Sequence, residues 1–324
     1  MHRSSLFLCL AAVLVAAASG SAWAQSFPMR PIRFIVPTEA GSQPDAVCRL
    51  VASKLSERSG WQTVVEDRPG GNFVIAIQSL LRAPPDGHTI VQGTATFPIV
   101  PQMQKVDWDL FRDLIPVARI TKAESVIVGN PSVPAKNIQE LIAWSKANPG
   151  KLTFGGVGVG TFSQLTAELL RLKLGLDFLY IPYKAPPTLE LLAGRVMVAN
   201  IGVSEVTAYV ASGKLVPYLV LGNRRSAFLP NIPTSSEISG GDPDMSAQSW
   251  FGYYVRSGTP QALVDQLAQE LIGAISEKTA RDRLNAIGAP PLEPMEGPAE
   301  FKKSQEAEYN LWRKIIKASH LSVE

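Results

Sequence analysis

One segment between a predicted strand and a predicted helix has the residues of an anion site. The strand covers 32–36, the helix begins near Asp45, and Gly41 and Ser42 lie between them. Both small residues let the backbone approach a ligand closely, and Asp45 is placed to cap the helix. Because a helix start combines free N–H groups with the positive end of the helix dipole, it favours an anion. We therefore predict a ligand-binding loop before this helix.

A second segment of the same kind lies in the middle of the chain. It follows a predicted strand at 152–154, precedes a predicted helix at about 162–174, and ends in the capping pair Thr161 and Gln164. Its alternating glycines are Gly156, Gly158 and Gly160. This spacing is not GxGxxG, and neither segment has a lysine in the Walker position, so no nucleotide site is predicted. A tight packing turn is the alternative for either loop, but two such loops favour a cleft.

The residues needed for nucleophilic or metal chemistry are scarce. Beyond residue 24 the chain has one cysteine, Cys48, and two histidines, His88 and His320. The apolar neighbours of Cys48 predict a small residue buried on a helix. No HExxH, CxxC or HxH pattern occurs, so we expect neither a metal nor a cofactor. Without a GxSxG motif we do not predict an enzyme, and a hydrolase that uses His88 is kept as the alternative.

The first 24 residues have the pattern of an export signal. A basic start at Arg3 precedes an apolar run from Leu6 to Ala18, and a small-x-small triplet ends at Ala24. The apolar run is shorter than the ~20 residues of a spanning helix. We expect cleavage after Ala24, which leaves 324 − 24 = 300 residues in the periplasm.

Composition indicates an ordinary globular protein. Apolar residues make up 46% and charged residues 18%, and the length of 324 residues favours two domains. The net charge of +3 comes from 31 basic and 28 acidic residues that are scattered along the chain. Because nucleic-acid binding needs clustered cations, no nucleic-acid partner is predicted.

Strand-like and helix-like segments alternate, which predicts an α/β fold of parallel sheets covered by helices. A helix capped by Asn137 runs to Lys146, and an amphipathic C-terminal helix covers 298–319. The predicted strands cover 32–36, 63–66, 89–92, 125–128, 152–154, 178–181, 197–201 and 217–221.

Short blocks in a fixed order give the chain a resemblance that covers nearly all of it beyond the export signal. The blocks are PIRFIVP at 31–37, Ala40-Gly41 with Asp45 and Arg49, VEDRPG at 65–70, PDGHT at 85–89, DLIPV at 113–117, NPGKL at 148–152, IPYK at 181–184, SGKL at 212–215, LPNIPT at 229–234 and SWFG at 249–252. Together they resemble the Bug family of periplasmic solute-binding receptors, the TctC-like component of tripartite tricarboxylate transporters.

The resemblance implies a two-lobed periplasmic binding protein of type II, a Venus flytrap in which each lobe is a mostly parallel sheet flanked by helices. We place lobe 1 at 27–119 plus 224–324 and lobe 2 at 120–223. It further implies a receptor that closes on a small carboxylate and delivers it to the membrane components of a transporter. Separately, we expect a monomer. A ligand-sensing subunit of a membrane signalling protein is a further alternative.

The resemblance also implies the residues that line the cleft. Those of the first lobe are Thr38, Ala40, Gly41, Ser42, Asp45, Phe73 and Thr94. Those of the second lobe are Gly156, Val157, Gly158, Thr161 and the region from Asn200 to Ser204. Backbone amides are expected to hold the carboxylate, because N–H groups can do so without a formal counter-charge.

The chain departs from the family pattern mainly at these positions. Ser42 replaces a glycine, and Gly71-Asn72-Phe73 replaces the usual Ala-Gly-Gly. Phe73 is expected to fill space or to stack on an aromatic ligand, and Glu39 would repel an anion unless it points to solvent. In the second lobe Gly156 replaces a common serine. The ligand is therefore predicted only as a small carboxylate, with an aromatic or amphipathic one compatible.

Overall fold

The computed structural model describes residues 27–321, so the predicted export signal lies outside the described residues. Residues from Pro31 onward form one compact unit, which contains every element below. The strands are β1 (Ile32–Val36), β2 (Thr63–Asp67), β3 (Thr89–Thr94), β4 (Leu114–Ala123), β5 (Ser125–Gly129), β6 (Thr153–Val157), β7 (Leu179–Tyr183), β8 (Val198–Gly202), β9 (Val216–Val220), β10 (Ser249–Arg256) and β11 (Pro291–Glu296). Within 27–321, no helix is long and apolar enough to span a membrane.

The helices connect and cover these strands. They are α1 (Gln43–Ser59), α2 (Val74–Leu81), α3 (Val100–Met103), α4 (Ile138–Ala147), α5 (Phe162–Leu174), α6 (Thr188–Leu192), α7 (Val203–Ala211), α8 (Ser235–Ile238), α9 (Gln261–Ser276), α10 (Lys278–Ala286) and α11 (Pro298–Ala318), with short 3₁₀ turns at Gly71–Phe73 and Pro243–Ser246. The C-terminal helix has the predicted extent within one residue. Its predicted apolar face, Phe301, Trp312, Ile315 and Ile316, is buried.

The first sheet has the strand order β11-β4-β10-β3-β1-β2 and combines both ends of the chain. Helices cover both faces of this sheet. Two consecutive residues of β10 show this, because neighbouring side chains on a strand point to opposite faces. Tyr253 packs edge-on against Phe34, beside Cys48 of α1. Tyr254 points the other way and contacts Phe301 of α11 at 5.0 Å between ring centroids. Cys48 is fully buried, as predicted from its neighbours.

The second sheet has the order β7-β6-β8-β5-β9 and is formed by the middle of the chain. Its strand β5 is buried on both faces, since Val126 and Val128 pack in one apolar cluster and Ile127 in another. The cluster that contains Ile127 extends into the first sheet and includes Val91 and Tyr254. An edge-on contact between Phe162 of α5 and Trp312 of α11 lies in this shared core.

The α/β class is confirmed, but the sheets are mixed rather than mostly parallel. β1 pairs in parallel with β2 and β3, and β6 pairs in parallel with β7 and β8. The antiparallel strands include β4, β10 and β11, which were not predicted as strands. Their sequences contain polar or proline residues such as Arg119 and Pro294, and partners far along the chain supply the pairing. Local patterning cannot register such long-range pairs.

The chain passes from the first sheet to the second at Glu124, between β4 and β5, and returns after β9. The helix predicted from Asn137 is confirmed, because the Asn137 side chain accepts a hydrogen bond from the Glu140 amide at 2.9 Å. The lobe boundaries given above stay a prediction.

Candidate functional site

The predicted site residues lie at the carboxyl ends of parallel strands in both sheets. Thr38 to Ser42 follow β1, and Thr94 ends its parallel neighbour β3. In the second sheet the loop after β6 and the end of β8 also lie at one edge, because these two strands are parallel and Gly155 pairs with Ala199. Open α/β sheets bind ligands beyond the carboxyl ends of their strands. Each sheet therefore presents its predicted loop at the edge where ligands bind.

The first loop is held by hydrogen bonds of its own side chains. Ser42, not Asp45, is the N-cap of α1, so that detail of the prediction was wrong. Asp45 lies three residues into the helix, and its Oδ2 accepts a hydrogen bond from the Gly41 amide at 2.7 Å. The hydroxyls of Thr38 and Ser42 are 2.8 Å apart. Gly41 has a φ of +78°, which requires glycine for conformational reasons.

An ion-pair chain supports this loop from behind. Arg49 Nε lies 2.6 Å from Asp45 Oδ1, and Arg49 Nη2 lies 2.8 Å from Asp67 Oδ2. Burial, followed by the neighbouring Asp45 carboxylate, raises the pKa of Asp67 above its ordinary value. Since Arg49 is shared by two carboxylates, it positions the loop and is not a free cation for a ligand.

The second loop repeats the geometry of the first. Thr161 is the N-cap of α5 and accepts from the Gln164 amide at 3.5 Å, which confirms half of the predicted capping box. Gln164 Oε1 accepts from the Gly160 amide at 2.7 Å, as Asp45 accepts from Gly41. The two helix starts thus share a glycine, a hydroxyl cap and a side chain that reaches back to the glycine.

Gly156 is a glycine for reasons of packing. A Cβ atom there would lie 2.4 Å from Ser163 Oγ and 2.4 Å from the hydroxyl of Tyr180. Tyr180 donates to the Gly158 carbonyl at 3.1 Å, and burial raises its pKa to about 12. A neutral hydroxyl group thus occupies the space of the serine that is usual in the family.

Phe73 occupies a strained backbone position. Asn72 and Phe73 have φ of 49° and 75°, in the left-handed region where the family pattern has glycines. The Phe73 ring packs on buried Phe97 at 5.9 Å between centroids, so it fills space as one of the two expected roles. Glu39 is exposed, so solvent screens its charge.

Two hydrogen bonds join the loops of the two sheets, and neither was predicted. Thr96 Oγ1, after β3, accepts from the Phe162 amide at 3.2 Å, so it caps α5 from the first sheet. Asn72 Nδ2 donates to the Val159 carbonyl at 3.0 Å. Thr96 lies two residues beyond the predicted Thr94, but no local sequence pattern indicates that it pairs with the Phe162 amide.

The remaining predicted residues differ in their surroundings. Thr94 is buried, and its hydroxyl accepts from the Thr96 amide at 3.2 Å. Asn200 is 8% exposed, and its Oδ1 has no partner among the described residues. Ser204 is exposed and donates to the Ile287 carbonyl at 3.2 Å, which links α7 to the first lobe. Val157 is half-buried at the end of β6.

The histidine and the cysteine that were considered for catalysis lie outside the two loops. His88 immediately precedes β3, at the end opposite to Thr94, and is buried beside Asp86. Burial raises the pKa of the Cys48 thiol, so it is a neutral core group. Among residues 27–321 no three His, Cys, Asp or Glu side chains are grouped to hold a metal ion.

Comparison with known proteins gives one consistent result. The family model described as tripartite tricarboxylate transporter family receptor matches residues 47–321. A UPF0065 protein of Bordetella pertussis is 33% identical over 297 residues, 91% of each chain, and protein BugT of the same species is 30% identical over 83% of each.

Solved structures agree. The periplasmic binding protein BugD superposes with a TM-score of 0.79 at 28% identity, covering 92% of this chain and 100% of BugD. An R. palustris protein solved with adipate gives a TM-score of 0.81 at 26% identity, over the same shares. The predicted two-lobed type II fold is thereby confirmed. The chain belongs to the tripartite tricarboxylate transporter receptor family, the Bug family of solute-binding receptors.

Proposed function

We propose that this receptor captures a small carboxylated solute in the cleft between its two helix-start loops. The observation that carries the proposal is the pair of matching loops, one in each sheet, which share a glycine, a hydroxyl cap and a side chain that reaches back to the glycine. Both loops end at helix N-termini, where free N–H groups and the helix dipole favour an anion.

The first loop supplies the carboxylate contacts in this proposal. Thr38 and Ser42 share one hydrogen between their hydroxyls, which leaves one O–H of the pair to donate to a ligand. Ala40 and Gly41 are exposed, so the loop backbone is reachable. The adipate complex of the R. palustris relative supports the class of ligand. Asn200 Oδ1 provides an acceptor on the second lobe.

The proposed cycle uses the lobes as a hinged pair. Lobe 1 comprises 27–119 with 224–324, lobe 2 comprises 120–223, and the solute is enclosed when they close. The closed form then delivers the solute to the membrane components of a tripartite tricarboxylate-type transporter, and the receptor works in the periplasm after removal of residues 1–24. It performs no catalysis. The hydrolase alternative is not favoured, since His88 lies at the far end of β3.

A ligand screen tests the proposal. The protein, purified after export, is melted in the presence of mono-, di- and tricarboxylates, aromatic acids and their amides. A specific ligand raises the melting temperature, because it binds only the folded state. We expect carboxylates to do so and the matching amides not to. A screen in which only neutral compounds raise the melting temperature contradicts the carboxylate assignment.

Variants locate the site. Ser42→Leu and Thr161→Leu place bulk in the two loops and should weaken binding of the solute identified by the screen. Ser53→Leu on the exposed face of α1 is the matched control, since its hydroxyl donates to Glu57 and lies outside the two loops. Unchanged affinity in both loop variants removes the loops from the site. Deletion of the gene should abolish uptake of the same solute, and normal uptake would contradict the transport role.

A further inference from the structure

A strained turn follows β2 and reaches the loop that follows β6. Four successive residues, 70–73, have φ between +49° and +114°, and two of them, Asn72 and Phe73, are not glycine. Among residues 27–321, the only other non-glycine residue with positive φ is His320. A bulky side chain in this region is an outlier, and its strain persists only where the surrounding structure holds it. Since such strain is typical of clamps and switch regions, the turn is a candidate for a conformational role.

Side-chain contacts hold this turn from both sides. The Phe73 ring packs against the apolar core of the first sheet. The Asn72 Nδ2 atom donates to Gln104 Oε1 at 3.2 Å and to the Val159 carbonyl at 3.0 Å. Gln104 Nε2 in turn donates to the Gly71 carbonyl at 3.2 Å, which fixes the orientation of its carboxamide. Asn72 is therefore oriented by its own side of the cleft and bonded to the other side.

The acceptor of this bond is anchored within the second sheet. Val159 lies between two glycines whose amides are both bonded. The Gly158 amide donates to the Tyr183 carbonyl at 2.9 Å. The Gly160 amide donates to the side chain of Gln164 at 2.7 Å. Because Val159 is held in this way on either side, the Asn72 bond breaks when the two loops move apart as units.

The contact lies far from the segments that connect the two sheets. The chain leaves the first sheet at Glu124, after β4, and returns to β10, the neighbour of β4. The strand before Asn72, β2, is four positions from β4 in the sheet, about 19 Å at 4.8 Å per strand. Thr96 follows β3, which is two positions from β4. Rotation about the connecting segments therefore moves Asn72 further than Thr96 from its partner in the second sheet.

We propose that Asn72 is a latch that holds the cleft closed on the side away from the connecting segments. The proposal rests on the two-lobed cycle proposed above and adds a residue that regulates it. In the closed form the Asn72 side chain donates to the Val159 carbonyl, which offsets part of the strain in the turn. Opening breaks this bond. Asn72 is a positioning residue, because it acts on the loop of Val159 and sets the fraction of closed molecules.

Hydrogen exchange measured by NMR tests the latch on the full chain without any solute. The Phe162 amide of α5 donates to Thr96 in the first sheet's loop, so water reaches it when the cleft opens. The Gly158 amide donates to the Tyr183 carbonyl within the second sheet, so opening of the lobes as units leaves it protected. Because an amide exchanges from its open state, the exchange rate of Phe162 follows the fraction of open molecules.

The first variant removes the donor of the latch. Asn72→Asp keeps the side-chain volume and a residue type that tolerates positive φ. Loss of one hydrogen bond changes the ratio of open to closed molecules by about 2- to 10-fold. We expect the Phe162 amide to exchange faster by this factor, while the Gly158 amide keeps its rate. Asn310→Asp makes the same chemical change at an exposed position of α11 and should leave both rates unchanged.

A second variant separates the lost donor from the added charge. Asn72→Gly has neither donor nor charge and accepts the left-handed φ, and it should also accelerate Phe162 exchange about 2- to 10-fold. The amide of Val91, at the centre of the first sheet, reports global unfolding and should keep its rate in both variants. Unchanged Phe162 exchange in either Asn72 variant, equal acceleration at Gly158 or Val91, or the same acceleration in Asn310→Asp would each overturn the latch. Since no solute is used, a wrong carboxylate assignment does not alter these outcomes, and failure of the latch leaves the ligand screen valid.

Discussion

The hydrogen bond from the Phe162 amide to Thr96 gives the sharpest prediction about lobe closure. Both residues are buried, with 7% and 6% of their surfaces exposed, and they follow strands of different sheets, which the proposal assigns to different lobes. Thr96→Val keeps the side-chain shape and removes the acceptor. Opening of the lobes would expose the Phe162 amide to water, so the substitution penalises the closed form only.

The magnitude follows from the buried amide. Leaving a buried donor unsatisfied costs about 1–3 kcal/mol. This corresponds to a shift of about 5- to 150-fold in the ratio of closed to open molecules. Because the solute is held by the closed form, its affinity should fall by a similar factor, whereas global unfolding changes less.

Double electron–electron resonance can measure this shift. Labels at Lys278 in α10 and at Lys151 before β6 report the distance between the two proposed lobes, and buried Cys48 does not take up label. We expect a longer mean distance in Thr96→Val than in the parent or in Thr96→Ser, which keeps the hydroxyl. Identical distance distributions and solute affinities in Thr96→Val and Thr96→Ser would refute the closure role of this bond.

Three further predictions concern the supports of the site. Gly156→Ala should destabilise the protein by about 1–3 kcal/mol in urea unfolding, because its Cβ meets the Tyr180 hydroxyl, and Gly202→Ala, with open space around it, is the control. The raised pKa of Asp67 means that its ionisation destabilises the folded state. The free energy of unfolding of Asp67→Asn should therefore increase relative to that of the parent as pH rises from about 4 to 7. A relative free energy of unfolding that decreases with pH would contradict this. Cys48 should resist iodoacetamide in the native state and react on unfolding, as mass spectrometry can follow, since burial keeps its thiol neutral; rapid native labelling would contradict that assignment.

Much of the local structure follows from the sequence alone. The strand at 32–36, the helix capped by Asn137 and the C-terminal apolar face each depend on neighbours a few residues away. The two glycine loops were recognisable for the same reason, because small residues before a capped helix have a local signature. The family blocks added the two-lobed fold and its class of function.

The hydrogen bonds within the two loops were only partly predictable. Capping patterns indicated that Asp45 and Thr161 stabilise helix starts, but Ser42 takes the cap position, and Asp45 reaches back to Gly41. The choice between these arrangements depends on the path of the loop, since Asp45 must also meet Arg49. The residue types indicated which side chains can cap a helix start, and the path of the backbone decided which hydrogen-bond partner each side chain meets.

The sequence by itself therefore determined the helices near 45–59, 137–146, 162–174 and 298–319, and it predicts that two of the loops suit an anion. Only the tertiary structure decided that β4, β10 and β11 complete the first sheet in antiparallel pairs, and that Thr96 and Asn72 join loops of the two sheets. These contacts connect residues 66 or more positions apart. Their formation depends on packing between whole elements, and no local pattern of residues encodes it.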